Sequence, residues 1–395
     1  MFTSSYRKNI KVLYTVEFFS FFGITTFWVL FLSQHGMSLL EIGLLESMFH
    51  GTSLLSEIPS GMLADRFSYK LNLLLGRLFA IVSCVLMICG QGHFWLYALA
   101  MTINAWAYNF DSGTSSALLY DSAVQAGLKD RYLTFSSVIS GVAEATMSLG
   151  AIVAGFFVHG HLEVTYFIMI IYSLCAMMLI SLLKEPNAKS QIEERITMVS
   201  IVQTVVKEFK TNPALLLWLL VGQIMCAMMC MFYFYYQNQL PNLSSWQIAV
   251  FMTIGSGLNI GATYLASQVG KKWSSFKLFP WIVGLTGLLY GAVLFHQAQV
   301  YMLVYLLTNA LYALYMPIVS NDIQQYLPSS VRATMLSVNA MFFSLSMIVL
   351  FPLTGWLIDQ IGFISTFLAL GIFLMVSAFI LVFLLVDIQR RLQQN

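Results

Sequence analysis

The sequence predicts an all-α membrane protein of twelve transmembrane helices, arranged as two pseudo-symmetric six-helix halves. Three observations lead there. Of the 395 residues, 59% are hydrophobic and 9% charged, with a mean hydropathy of +0.79; that is far too little charge to coat a water-soluble globule. The apolar residues run continuously in twelve stretches of about the 20 residues a helix needs to cross a hydrocarbon core. Backbone polar groups in lipid must bond within their own segment, and the lack of period-two alternation excludes a barrel. The third observation is a faint internal repeat.

The stretches lie at roughly 11–33, 39–62, 71–91, 94–118, 135–158, 163–183, 214–236, 245–268, 278–296, 299–320, 334–357 and 362–386. With the N-terminus placed in the cytoplasm, all 19 Lys and Arg fall on the inner side and none in the six outer loops, which is the positive-inside pattern. The expectation is therefore a multi-pass protein of the cell membrane with both termini cytoplasmic. The net charge of +2 is partitioned by side and is no nucleic-acid footprint. All five cysteines lie within spans, where small apolar packing is the default. The first apolar segment is too long for a cleaved signal peptide and carries Glu17.

Shifting the first half by 206 positions sets Leu243 and Ser244 against Met37 and Ser38, Gly257 against Gly51, and Lys272 against Arg66. Further on the offset drifts to 201, where Asp322 and Arg332 face Asp121 and Arg131. Residues 1–183 and 214–395 thus read as six-helix bundles joined by a cytoplasmic linker, 184–213. In that linker Ser190 and Glu193 have capping-box spacing, and Ile196, Val199, Val206 and Phe209 recur at helical spacing. A short amphipathic helix on the membrane surface is expected there.

The second and third spans meet at Glu57-Ile58-Pro59-Ser60-Gly61-Met62-Leu63-Ala64-Asp65-Arg66-Phe67-Ser68-Tyr69-Lys70. Gly61 permits close helix approach, Asp65 places a carboxylate just past a helix end, and Arg66 and Lys70 supply cations. This loop resembles the one between the second and third spans of major facilitator superfamily transporters; Gly61, Asp65, Arg66 and Lys70 match, while Ser68 replaces a Gly and Leu71 a basic residue. The resemblance implies two parallel-related halves with substrate at the midplane. It also implies a gate in which Asp65, with Arg66 and Lys70, meets the start of span eleven near Arg332 and Thr334 in one state and leaves it in the other; Asp121, Arg131 and Arg332 join the gating set. Ser112-Gly113-Thr114-Ser115-Ser116-Ala117-Leu118-Leu119-Tyr120-Asp121-Ser122 is similar to the end of the fourth span in bacterial permeases related to drug and macrolide exporters. The fourth-span Arg of proton-coupled drug antiporters falls here at Asn109, and the fifth span has Gly141, Gly150 and Gly155 but no Gly-Pro pair.

Ionisable groups at bilayer depth are costly and mark cavities or partners. The first half holds Glu17, Glu46, His50, Glu57, Arg77, Asp111 and Glu144 within its spans, whereas the acids of the second half sit at span ends and Gln223 stands where the repeat would place Glu17. At ~1.5 Å per residue, Asp111 and Glu144 lie roughly 14 Å from the inner ends of spans four and five. Asn104, Tyr108, Asp111 and Ser115 share one face, as do Ser137, Gly141, Glu144 and Ser148. A buried carboxylate without a cation is poised to take up and release a proton, so Glu17, Asp111 and Glu144 are the expected proton-coupling residues; the bland reading is a protonated acid in a fixed interhelical hydrogen bond. Glu46, His50 and Glu57 form a stripe on span two, with Glu57 expected to meet Arg77 or Arg131. Trp28, Tyr108, Asn109, Gln223 and Asn259 are the expected substrate contacts.

No nucleotide-binding loop, metal-ligand spacing or nucleophile–base pairing is present in the sequence, so an enzyme, an ATP-driven pump and a cofactor all lack support. The expectation is a monomeric secondary transporter in the lipid bilayer, driven by protons and exporting small amphipathic molecules. The alternatives are proton-coupled uptake or exchange of a polar metabolite or sugar, and a receptor or scaffold that transports nothing.

Overall fold

The computed structural model describes residues 3–66, 68–111, 113–186, 213–326 and 332–394, and the side chains of these except at 3–5, 58–66, 332–334 and 393–394. The expected amphipathic helix of the linker lies outside the described residues. No strand occurs among the described residues. The helices are α1 (Thr3–Ser20), α2 (Trp28–Gln34), α3 (Leu39–Arg66), α4 (Tyr69–Cys89), α5 (Phe94–Asp111), α6 (Thr114–Gln125), α7 (Tyr132–Ala154) and α8 (Leu162–Ser181), then α9 (Pro213–Tyr235), α10 (Ser245–Val269), α11 (Ser275–Tyr290), α12 (Ala298–Tyr326), α13 (Arg332–Ile361) and α14 (Phe363–Gln394).

Among the described residues nine helices are long and apolar enough to cross a membrane, and they coincide with nine of the twelve expected spans. The remaining three depart in instructive ways. Span one is broken into α1 and α2 around 21–27, where Gly23 and the β-branched Ile24, Thr25 and Thr26 are weak helix formers. Span four is broken into α5 and α6 at Gly113, whose φ of 80° suits a residue without Cβ. Span two, by contrast, continues past its expected end: α3 runs through Arg66, so Gly61 and Asp65 belong to the helix and not to a turn. The turn that follows is short because Ser68 caps α4, its hydroxyl accepting from the Leu71 N–H at 3.2 Å.

The chain forms two compact units. One comprises Met1–Met37 with Met48–Arg195, the other Ser38–Ser47 with Ile196–Asn395. Inside the first, α4 packs on α5 and α8, and α1 on α7 and α8; inside the second, α11 packs on α12 and α14, and α9 on α13 and α14. The same scheme is thus drawn twice. The repeat also shows in two equivalent bonds: the Tyr69 hydroxyl donates to Asp121 at 2.9 Å, and the Ser275 N–H donates to Asp322 at 2.7 Å. Residues 69 and 275 are the first of α4 and α11, and each finds the acid that the sequence repeat sets in register.

Each unit has its own core. In the first, Leu13 and Val16 of α1 are buried with Leu73, Leu118, Leu119 and Ile180. In the second, the Phe232 ring meets Tyr290 at 5.3 Å and Phe367 at 4.8 Å between centroids, within the range where aromatic pairs attract. Large apolar side chains such as Trp95, Leu133, Ile171, Phe379 and Phe383 point away from these cores, a surface suited to hydrocarbon and not to water. Without a hydrophobic drive between helices in lipid, close packing must hold them. One such close crossing is α11 with α14, where a Cβ on Gly287 would lie 2.6 Å from the Gly371 carbonyl oxygen and one on Gly371 would lie 2.7 Å from that of Gly287.

Gly287→Val is therefore expected to lower stability by about 1–3 kcal/mol through overpacking, read as a fall in melting temperature of the detergent-solubilised protein. Gly291→Val is the control, since no atom lies within 4 Å of a Cβ there.

Candidate functional site

The two helix breaks of the first unit meet at one side chain. Arg77, in the interior of α4 and 6% exposed, donates from Nη2 to Asp111 Oδ2 at 2.6 Å and from Nη1 to the Ser20 carbonyl at 3.2 Å. Ser20 is the last residue of α1 and Asp111 the last of α5. Helix ends leave their final carbonyls without intrahelical donors and carry partial negative charge. A carboxylate at such an end is doubly unfavourable in a low-dielectric setting, and the guanidinium, always charged and able to point two donors in different directions, offsets both. The broken helices and the buried arginine thus require one another.

Glu17 lies one turn before the end of α1 and is 8% exposed; its carboxyl interacts with the charges of both Asp111 and Arg77. Around this group, Arg77 Nε and Ser20 Oγ are buried without a hydrogen-bond partner. One cation therefore faces two acids. This corrects the expectation that Asp111 has no cation and that Arg77 meets Glu57: α4 and α5 pack as an antiparallel pair, which brings Arg77 level with Asp111. Gly113, which ends the helical run after Asp111, was the available sequence signal for this arrangement.

The other expected residues divide. Glu144 stands exposed on α7 beside exposed Ser137 and Gly141, and Asn104 and Tyr108 are exposed on α5, whereas Asp111 on the same face is largely covered in its pair with Arg77. The Tyr108 ring meets Phe49 at 6.3 Å. Asn109 is otherwise engaged: its amide oxygen accepts from Ser53 Oγ at 2.9 Å, and its amide nitrogen donates to the Ser53 carbonyl and to Ser56 Oγ, each at 2.8 Å. It ties α5 to α3 and has little capacity left for a ligand. Trp28 opens α2 and is half-buried.

In the second unit, Gln223 of α9 donates to Asn339 of α13 at 2.8 Å, in a small recess also lined by Trp218, Cys226, Tyr315 and Met316. Asn339 carries no ionisable group and lies outside the motifs, so its pairing with Gln223, 116 residues away in sequence, has no signal in the sequence. Asn259 is half-buried on α10, and its amide oxygen has no hydrogen-bond partner.

Of the gating set, the side chains of Gly61, Asp65, Arg66 and Arg332 lie outside the described ones. Lys70 has partners at the end of another helix. Its ammonium donates to the carbonyls of Ser181 and Leu183 at the end of α8, while Glu185 accepts from the N–H groups of Tyr69 at 2.7 Å and Lys70 at 3.1 Å. Each charge thus sits at the helix terminus of opposite sign. Asp121 is held by Tyr69, and the Arg131 guanidinium lies 5.5 Å from the Phe135 ring centroid.

Solved structures share this fold. The nucleoside transporter NupG superposes with a TM-score of 0.75 at 13% identity, covering 97% of this chain and 98% of NupG. A bacterial homologue of the iron transporter ferroportin, in an inward-facing state, gives 0.74 at 13% identity over 97% and 98% of the two chains. The xylose transporter XylE from E. coli, inward open, gives 0.64 at 13% identity over 94% of each. At these identities the likeness is one of fold alone. No curated protein matches the chain. Residues 12–349 match the Major Facilitator Superfamily, and over this span, with the all-helical fold that accompanies it, the chain belongs to that superfamily.

Proposed function

We propose that this protein is a secondary active transporter that works by alternating access and couples a small-molecule substrate to protons. The observation that carries the reading is the buried Arg77 guanidinium, shared by Asp111, the end of α1 and the field of Glu17. Two acids against one cation leave a net negative charge at bilayer depth, which a single proton removes. When Asp111 is ionised, Arg77 is held to α5. When Asp111 takes a proton, the attraction falls and the guanidinium is free to turn to Glu17, changing what ties α4 to the ends of α1 and α5. A proton gradient then supplies the energy, with no cofactor. Glu144, on an uncovered face of α7, assists proton entry. Asp65, Arg66 and Lys70, with Gly61, Asp121, Arg131 and Arg332, gate the basic side, which faces the cytoplasm in the cell membrane, and the unit of transport is a monomer.

The substrate we propose is a small amphipathic compound, carried outward. Supporting this are the exposed Tyr108 ring beside Phe49 and the resemblance of the span-four sequence to drug exporters. A second reading, uptake of a polar metabolite, is favoured by the Gln223–Asn339 amide pair in its recess, which offers a donor and an acceptor to an uncharged polar solute.

Purified protein in proteoliposomes, subjected to a pH jump and challenged with lipophilic cations, neutral drugs, nucleosides and sugars, tests both. Substrate-evoked proton movement is expected for members of one class, and its abolition in Asp111→Asn places Asp111 on the proton path. Failure of every class to move protons would remove the coupled-transport reading and leave the non-transporting one.

Removing one member of a buried pair leaves the other charge uncompensated. Arg77→Gln is accordingly expected to cost about 3–5 kcal/mol, seen as lost melting temperature, and the double variant Arg77→Gln/Asp111→Asn is expected to recover most of that stability and no transport. Glu17→Gln should fold normally and flatten the dependence of substrate flux on pH. If Glu17→Gln kept the wild-type pH profile, Glu17 would have no share in coupling.

A further inference from the structure

A line of polar groups runs through the closed interior of the first unit, between α1, α4, α5 and α8. Arg77 Nε, Ser20 Oγ, Ser173 Oγ and the Tyr166 hydroxyl are all buried without a hydrogen-bond partner, and none of the four residues is more than 8% exposed. Helix geometry sets them in one file. On α8, Tyr166, Ser173 and Ile180 follow one another at intervals of seven residues and share a face. Ile180 is buried with Leu73 of α4, and Tyr166 lies in the field of Cys84 of α4. These two pairings make α4 and α8 antiparallel and put Ser173 level with Arg77 and Ala80, on the stripe of α4 that Leu73 and Cys84 also occupy. Ser20 stands one turn from Glu17 on α1, so the near end of the file opens on the charged cluster.

The far end lies away from the basic loops. The Phe31 ring meets those of His35, Tyr97 and Tyr166 at 4.3, 6.4 and 4.6 Å, which gathers the three in one place. The Tyr97 hydroxyl accepts from the Gly92 N–H at 3.2 Å and still has its own proton to give. His35 Nδ1 faces the Phe31 carbonyl at 2.8 Å and Nε2 faces Glu163 Oε1 at 3.1 Å; the two bonds form together only when the ring is protonated. The Glu163 side chain is 56% exposed, so this proton-holding pair is in touch with the surroundings. From it the line has no gap in its electrostatics: Glu163 acts on Tyr97, Tyr97 and Cys84 on Tyr166, and Arg77 on Cys84.

Buried hydroxyls and N–H groups without partners are costly in a low-dielectric interior, and folded proteins meet such groups with internal water. We propose that a file of internal water molecules joins these groups and carries protons from the His35–Glu163 pair to the Arg77–Asp111–Glu17 cluster. The imidazolium of His35 gives up one proton, each water or hydroxyl accepts one and passes one on, and the Asp111 carboxylate ends as the acid; Glu163 and solvent then reload the imidazole. Every oxygen between the two ends is left neutral. The file is apart from the exposed α5 face of Asn104 and Tyr108, so substrate and proton need not share a path. Its use in coupling rests on the transport reading above; its existence does not.

Two measurements on the full-length protein in lipid test the file. In solid-state NMR, magnetisation is expected to pass from water to Ser173 and Tyr166 far faster than to Tyr290, which is also buried but donates its hydroxyl to the Met229 carbonyl at 2.8 Å. Transfer to Ser173 and Tyr166 as slow as to Tyr290 would overturn the file. Time-resolved infrared after an acid jump then follows the Asp111 carboxyl band. Tyr166→Phe and Ser173→Ala each remove one oxygen that bonds no protein group, so both should fold. Each is expected to slow Asp111 protonation about tenfold, the effect on a rate of one lost hydrogen bond, with the final amplitude unchanged. Glu144→Gln, which removes the acid on the exposed face of α7, is expected to slow it less. Unchanged kinetics in both file variants would overturn the file as the proton route, as would slowing in Glu144→Gln alone. A hydrated file beside an Asp111 that never titrates would overturn proton delivery together with the Arg77 reading and leave the water file standing.

Discussion

The structure of the first unit depends on the ion pair between Arg77 and Asp111. A broken transmembrane helix exposes carbonyls to a medium that offers no water to satisfy them, and this unit contains two such breaks, after Ser20 and at Gly113. Arg77 reaches one end through a carbonyl and the other through a carboxylate. Without the cation, Asp111 would carry an unsupported charge at a helix C-terminus and α1 would end in an unsatisfied carbonyl. With it, the chain can interrupt two spans and place Glu17 and Asp111 in the same neighbourhood. Such interruptions are tolerated in membranes where protein or a cavity covers them, and that is where substrate and ion sites arise.

The second unit manages polarity differently. It holds no comparable buried ion pair among its described residues; instead Gln223 meets Asn339, and Asp322 receives the first N–H of α11. Its interior is aromatic, and two glycines, Gly287 and Gly371, let α11 and α14 cross closely. The asymmetry of ionisable residues expected from the sequence is compatible with these contacts. The relation between halves extends to hydrogen bonds, since Tyr69 with Asp121 and Ser275 with Asp322 occupy equivalent places.

Most of the fold was legible because the bilayer imposes length and hydrophobicity on every span, and nine spans agree with their helices. The three that differ show where that rule is silent. Hydropathy does not register a break inside an apolar run, so the ends of α1 and α5 were missed although Gly23 and Gly113 stood in the sequence. Nor does it register a helix that continues into charged residues, as α3 does to Arg66. At the site, the asymmetry of ionisable residues led to Glu17 and Asp111, but the partner of Asp111 depends on the level at which α4 and α5 pack, which no periodicity reveals. Asn109 is an expected substrate contact by its polarity at span depth, but its amide is consumed by Ser53 and Ser56. Lys70 was read as part of a charge switch, and the α8 carbonyls that hold it are 111 and 113 residues away in sequence.

Coupling rests on the protonation of Asp111, which frees the Arg77 guanidinium to turn to Glu17. Infrared difference spectra of the lipid-reconstituted protein between acid and alkaline pH test it directly. A carboxylic-acid carbonyl band that appears on acidification, and is lost or shifted in Asp111→Asn and altered in Glu17→Gln, is the predicted result. A wild-type spectrum in which neither variant changes any titrating carboxyl band would contradict the account and make the Arg77 cluster a purely structural tie between two broken helices.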